Sequence, residues 1–284
     1  MDGAARPKRP PVGPRVKRED VNWSMGHRLA LCWVLLAALL AFAPAARAEA
    51  PVIAAASDLQ FALVELAEAF EAETGEAVEL TFGSSGNFAR QIRQGAPYEM
   101  YLSADERFVL DLHEDGFTRD DGMLYARGRI VIFTPQGSPL EADGQLGDLA
   151  AALEAGRITR FAIANPEHAP YGLAAEQALR HRGLWEAITP ALVLGENVSQ
   201  AAQFAATGNT DGGIIAYSLA RSPPVAARGA FDLIPEAWHA PLRQRMVLLD
   251  DAGPVAERFY GYLQTPPAQA ILRRNGFELP AGND

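Results

Sequence analysis

Residues 51–75, PVIAAASDLQFALVELAEAFEAETG, decide the fold. The first six are apolar and uncharged, the length of a buried strand rather than of a helix. Ser57-Asp58-Leu59-Gln60 follows, and Ser57 and Gln60 have the spacing of a capping box. Phe61, Val64, Leu66, Ala69 and Phe70 then form an apolar stripe over 61–74, and Gly75 ends the run. A buried strand, a small-residue corner and an amphipathic helix make the opening of a βαβ unit.

The same grammar recurs along the chain. Residues 77–82 read as a strand, Gly83-Ser84-Ser85-Gly86-Asn87 as a corner, and the stretch through Phe88 and Ile92 as a helix stopped at Gly95. Residues 161–164 form a strand, 165–172 a loop with two prolines, and 173–182 a helix closed by Gly183. Further on come a strand at 192–194, the loop Gly195-Glu196-Asn197-Val198, a helix over 199–207 and a strand at 213–216. Strand-like runs also stand at 100–103 and 130–134, and 254–277 reads as helices with Phe259, Tyr262, Leu263, Ile271 and Leu272 inward. Alternation of this kind implies an α/β fold with mainly parallel sheets and right-handed crossovers. With 284 residues, 49% of them hydrophobic, two lobes are the economical reading.

Charge narrows the function. The chain carries 25 Lys and Arg against 35 Asp and Glu, a formal net charge of -10, which excludes the basic face of a nucleic-acid binder. Eight basic and three acidic residues precede Glu49, leaving 17 against 32 from there on. The basic head leads into an apolar run over 29–42 and then Ala46-Arg47-Ala48, the n-region, h-region and A-x-A site of a cleavable signal peptide spanning 1–48. About fourteen apolar residues fall short of the roughly twenty that span a bilayer. Met25, directly before the run, is an alternative start to Met1. The only cysteine, Cys32, lies within the h-region, so an exported mature chain has no thiolate chemistry.

In open α/β sheets, ligands bind beyond the carboxyl ends of the strands, where helix N-termini present unpaired N–H groups and a positive dipole end. Such corners here carry Ser57, Ser84, Ser85, the Pro170-Tyr171-Gly172 loop and Asn197-Val198-Ser199. Converging, they would make a ring of neutral donors suited to a fully ionised tetrahedral oxyanion. Ser57 and Ser85 are equally read as helix caps, Tyr171 and Tyr217 as packing residues, and Val198 as a buried loop residue. Asp58 would obstruct a dianion unless it points away along the first helical turn. A serine hydrolase would need G-x-S-x-G, and 83–87 misses the second glycine by one place, although His168 is available as a base. His113, His181 and His239 lack metal-ligand spacing, so no direct metal ligands are expected.

The strings AAASDL at 54–59, FGSSGNFARQIRQGAP at 82–97, LSAD at 102–105, NPEHAPYG at 165–172, GENV at 195–198 and YGYL with AILRRNGF at 260–277 together resemble the molybdate-binding proteins of ABC transporters. The resemblance runs in order over nearly the whole chain after the leader. It implies a two-lobed type II periplasmic-binding fold with the ligand in the inter-lobe cleft. Lobe I would comprise 49–127 plus 243–284, and lobe II 128–242. The implied ligand is molybdate or tungstate, with no cofactor and no catalysis. The implied partner is an ABC permease in the inner membrane, served by a periplasmic monomer.

Residue by residue, the resemblance implies contacts from the hydroxyl and N–H of Ser57 and of Ser85, and from the N–H groups of Tyr171 and Val198. One branch of the family adds a tyrosine hydroxyl from a GIVYG-like strand end. Here GIIAYS at 213–218 sets Ala216 at that position and Tyr217 one place out of register, which makes the Tyr171 hydroxyl the other candidate. Sulfate, phosphate or a small organic acid remain alternative ligands.

Overall fold

The computed structural model describes residues 50–280 together with Gly13. The signal-peptide reading of 1–48, with Met25 and Cys32, lies outside the described residues. Two five-stranded sheets organise the chain, built from β1 (Val52–Ala56), β2 (Glu79–Gly83), β3 (Met100–Ser103), β4 (Met123–Gly128), β5 (Ile130–Pro135), β6 (Phe161–Ala164), β7 (Leu192–Gly195), β8 (Gly212–Ala216), β9 (Gly229–Leu233) and β10 (Leu242–Leu248). The first sheet has the order β2-β1-β3-β10-β4 and the second β7-β6-β8-β5-β9. Each sheet therefore forms one lobe, and the chain passes between them twice. Arg129 alone links β4 to β5, and 234–241 carry the chain from β9 back to β10.

Both sheets are mixed, not mainly parallel as the alternation implies. β1 runs parallel to β2 and β3, and β6 parallel to β7 and β8. β10 is antiparallel to β3 and β4, and β5 antiparallel to β8 and β9. The antiparallel strands are the ones entered directly from the other lobe, without the crossover helix that a parallel neighbour needs. β4, β9 and β10 escape the sequence reading because their alternation is broken by charge, as in LRQRMVL of β10.

The α-helices of the described residues are α1 (Gln60–Thr74), α2 (Ser85–Arg93), α3 (Glu106–Glu114), α4 (Gly147–Glu154), α5 (Pro170–His181), α6 (Trp185–Ile188), α7 (Val198–Ala206), α8 (Tyr217–Arg221) and α9 (Pro223–Ala226), followed by α10 (Pro254–Tyr262) and α11 (Pro266–Arg274). The first sheet is packed on both faces. Ile53, Leu63, Leu66, Phe70, Phe259 and Leu272 close one face, and Phe88, Ile92, Tyr101, Val109 and Leu112 the other. Phe133, Phe161, Ile163, Leu179 and Ile214 fill the core of the second lobe. Among the described residues, no helix is long and apolar enough to cross a membrane.

The final helices belong physically to the first lobe. The Phe70 ring, fully buried on α1, meets Phe259 edge-on at 5.2 Å between centroids and Tyr262 at 5.6 Å. Phe70→Ala should therefore lower the unfolding free energy by about 3–5 kcal/mol, read from urea denaturation.

Candidate functional site

The carboxyl ends of β1 and β2 in one lobe and of β6 and β7 in the other face a single pocket. It is lined by Ala56, Ser57, Asp58, Gly83, Ser84, Ser85, Ala104, Ala169, Pro170, Tyr171 and Val198, and its free volume is about 10 Å3. That is about the space one water molecule needs, so the walls lie nearly in contact around it. Larger open depressions elsewhere hold no such convergence. One lies between β4, β10 and Arg273, another beside Tyr98 and Phe117.

Three helix N-termini meet here. Ser85 is the first residue of α2, Tyr171 the second of α5 after Pro170, and Val198 the first of α7 after the Asn197 cap. Backbone N–H groups at these positions have no acceptor within their own helix, and the dipole ends are positive. Pro170 occupies the first helical position, where a missing N–H costs nothing. The last three residues of the 165–172 loop, Pro170-Tyr171-Gly172, are thus the first turn of that helix. No lysine or arginine lines the pocket.

The serine side chains are not helix caps. Ser57 opens a short 3-10 turn over Ser57–Leu59, and its Oγ accepts a hydrogen bond from the N–H of Ser199, 3.2 Å away in the other lobe. Gln60, its supposed capping-box partner, likewise reaches across, its Oε1 accepting from the Ser199 hydroxyl. Ser85 Oγ accepts from the Ala104 N–H at 3.0 Å. A hydroxyl carries two acceptor lone pairs and one proton. Both Ser57 and Ser85, buried to within 2% of full burial, spend a lone pair on backbone and keep the proton for a further acceptor.

Tyr217 leaves the candidate set. It starts α8, packs on Phe231 at 5.9 Å, and its hydroxyl accepts from Arg221 Nη1 at 3.2 Å, away from the pocket lining. The one-residue displacement in GIIAYS moves the side chain off the strand end. The Tyr171 hydroxyl does not replace it, because it donates to Asp58 Oδ2 at 2.9 Å.

Asp58 does not point away along the helix. It is buried and lines the pocket. Gln244 Nε2 also donates to Oδ2, at 2.6 Å, and Gln244 Oε1 accepts from the Tyr125 hydroxyl at 2.7 Å. Asp58 Oδ1 has no hydrogen-bond partner. Gln244 escapes the sequence reading, yet one signal points to it. It is the polar member of the inward phase Leu242, Gln244, Met246 in β10, and a bulge at Gln244 and Arg245 re-aims it. The network is closely approached by backbone, since a Cβ on Gly128 would lie 2.1 Å from the Tyr171 hydroxyl oxygen.

At the pocket's edge the lobes touch through backbone. The Gly86 N–H donates to the His168 carbonyl at 2.9 Å, and a Cβ at Gly86 would meet that oxygen at 2.8 Å. His168 Nδ1 lies 2.9 Å from Ser84 Oγ, and its Nε2 is 3.7 Å from Glu196. His168 is thus engaged with Ser84 across the boundary between the lobes.

A family model described as bacterial extracellular solute-binding protein matches residues 51–278. The chain belongs to that family. Within it, the chain is 34% identical over 238 residues to the molybdate-binding protein ModA of Azotobacter vinelandii, covering 83% of this chain and 92% of the relative. It is also 34% identical over 247 residues to ModA of Rhodobacter capsulatus, covering 85% and 93%. The solved Azotobacter vinelandii periplasmic molybdate-binding protein superposes with a TM-score of 0.73 at 30% identity, over 81% of this chain and all of that one. These matches bear out the resemblance and the two-lobed type II periplasmic-binding fold. The sulfate-binding protein SubI of Mycobacterium tuberculosis, with a TM-score of 0.67 at 15% identity, shares the fold.

Burial pushes the Asp58 carboxyl up from 3.8 to about 6, against the hydrogen bonds from Gln244 and Tyr171 that pull it down. A carboxyl with a higher pKa in the folded than in the unfolded chain favours folding most when protonated, so stability is lost as pH rises from about 4 to about 6. Asp58→Asn removes that loss. Its unfolding free energy relative to the unsubstituted protein should rise by about 3 kcal/mol between pH 4 and pH 7 and then stay level, as read from urea denaturation across that range.

Proposed function

We propose that the protein is the exported receptor of an ABC transporter that captures molybdate by closing two lobes on it and delivers it to a membrane permease. Tungstate, an oxyanion of the same shape and charge, falls within the same reading. The carrying observation is the convergence of three helix N-termini and two serine hydroxyls, drawn from both lobes, on one small pocket without a cation.

The contacts proposed are the hydroxyls and N–H groups of Ser57 and Ser85 and the N–H groups of Tyr171 and Val198. All would meet oxyanion oxygens, and none would ligate the metal. Such a set discriminates by size and by how many donors it presents, since each charge-assisted bond at about 2.7–2.9 Å replaces a bond to water. The lobes would divide near the two chain crossings, 49–127 with 243–284 against 128–242, bounds that fall one residue inside β4 and β10. Closure then brings Ser57 and Ser85 to Tyr171 and Val198, and the ligand's binding energy shifts the open and closed populations. Export would use residues 1–48 as a cleaved signal peptide, with release as a periplasmic monomer. A binding role without catalysis agrees with the family and with relatives named for molybdate binding.

Thermal unfolding with molybdate, tungstate, sulfate and phosphate at matched ionic strength tests the ligand class. A ligand at a thousand times its Kd contributes about 4 kcal/mol, which should raise the midpoint by roughly 8–16 °C for molybdate and tungstate and leave it unmoved by sulfate and phosphate. A rise with sulfate or phosphate instead would replace the ligand while keeping the fold. Titration calorimetry on Ser85→Ala should show molybdate affinity weakened by about 1.5–3 kcal/mol, and unchanged affinity would remove Ser85 from the site.

A further inference from the structure

The carboxyl of Asp58 is at odds with a dianion site. It is 1% exposed, lines the pocket formed by the three helix N-termini, and its Oδ1 has no partner. Its other oxygen is saturated. Oδ2 accepts from the Tyr171 hydroxyl at 2.9 Å and from Gln244 Nε2 at 2.6 Å, and Gln244 cannot turn its carbonyl inward without abandoning the Tyr125 hydroxyl at 2.7 Å. Any proton on this carboxyl therefore sits on Oδ1, the oxygen that accepts from no other residue.

An ionised Oδ1 beside a dianion in a water-excluded pocket would be strongly repelled, because Coulomb energies grow as the effective dielectric falls. A protonated Oδ1 is one more donor of the kind the pocket already offers. We propose that Asp58 enters the site as a carboxylic acid whose Oδ1–H donates to the bound oxyanion, so that capture of a fully ionised dianion takes up one proton from solution. This rests on the oxyanion reading above and adds a proton to it. The opposite arrangement, an ionised Asp58 accepting a proton from a hydrogen-bearing oxyanion such as hydrogen phosphate, takes up none.

The surroundings support neutral Asp58 in the complex. Tyr171 from α5 and Tyr125 from β4 are the titratable groups beside it, and burial holds both phenols well above their ordinary value, hence neutral. From α8, Ser218 donates only to the Asp58 backbone carbonyl, at 2.9 Å. From α2 and α7 the pocket receives Ser85 and Val198. His168, with Glu196 behind it, bonds Ser84 rather than Asp58. Burial raises the carboxyl to about 6 before any anion arrives, so at neutral pH the unliganded group is mostly ionised and must gain its proton on binding.

The test is calorimetry of the full-length protein with sodium molybdate from pH 5.5 to 8.5, in buffers of different ionisation enthalpy. The expected result is a Kd that is flat below about pH 6 and weakens about tenfold per pH unit above it, with close to one proton taken up per anion at pH 7.5. Asp58→Asn, whose amide donates from the same place without titrating, should bind with no proton uptake and no slope, while His168→Asn keeps both. A pH-independent Kd in the unsubstituted protein overturns the proposal. So does a slope that survives in Asp58→Asn, or phosphate binding that strengthens towards pH 8 with no proton uptake. Should Asp58→Asn not fold, the proton count on the unsubstituted protein decides alone. Molybdate affinity that depends on Ser85 but not on pH defeats only this proposal, whereas no binding of molybdate or tungstate at any pH defeats the oxyanion reading with it.

Discussion

The hydrogen bonds around the Asp58 carboxyl join the two lobes beside the pocket. Asp58 follows β1 of the first lobe, and Tyr171 lies in the first turn of α5 in the second. Gln244 sits just after the chain re-enters the first lobe, and Tyr125 just before it leaves. One buried network thus spans both lobes and touches both chain crossings. A partly satisfied buried network is costly, and here the shortfall falls on a single oxygen, Oδ1 of Asp58.

The pocket itself manages charge without cations. An arginine or lysine would bind anions of many shapes at long range, whereas N–H and O–H donors act only at contact distance and so read shape. Three positive helix ends supply the field that a cation would otherwise provide, and they come from both lobes. Neither lobe alone would complete the proposed donor set. The acidic balance from Glu49 onward, 17 basic against 32 acidic residues, works against anion encounter, so the local dipoles must dominate within the cleft.

Much of this was legible in the sequence. The strands at 100–103 and 161–164 are read to the residue, because both are short apolar runs closed by a small-residue corner. Ser57, Ser85, Tyr171 and Val198 are legible as corner residues, and the structure brings them to one pocket. What failed was whatever depends on partners distant in sequence. Ser57 and Gln60 have capping-box spacing, but Ser199, 142 residues away from Ser57, takes both side chains. Gln244 looks like one polar residue in a strand broken by arginines until β4 and α5 give it neighbours. Tyr217 shows the converse, since a single-residue slip at a strand end turns a side chain to another face.

The two crossings determine which motion remains soft. Arg129, the sole residue between β4 and β5, pairs with Glu236 at 3.2 Å in the second crossing and with Glu278 at 2.9 Å in the C-terminal segment. Glu278 in turn exchanges backbone hydrogen bonds with Arg127. One guanidinium therefore holds the two inter-lobe strands and the tail at fixed separation, which resists sliding of one lobe past the other. Rotation about the crossings is left as the low-cost displacement. The contacts that such a rotation would break are hydrogen bonds around the pocket, among them Gly86 and Ser84 to His168, Ser57 and Gln60 to Ser199, and Tyr171 to Asp58. They are mostly uncharged. That is the character required of contacts whose balance a ligand with modest differential affinity can tip, because a heavily paired interface would stay shut with or without it.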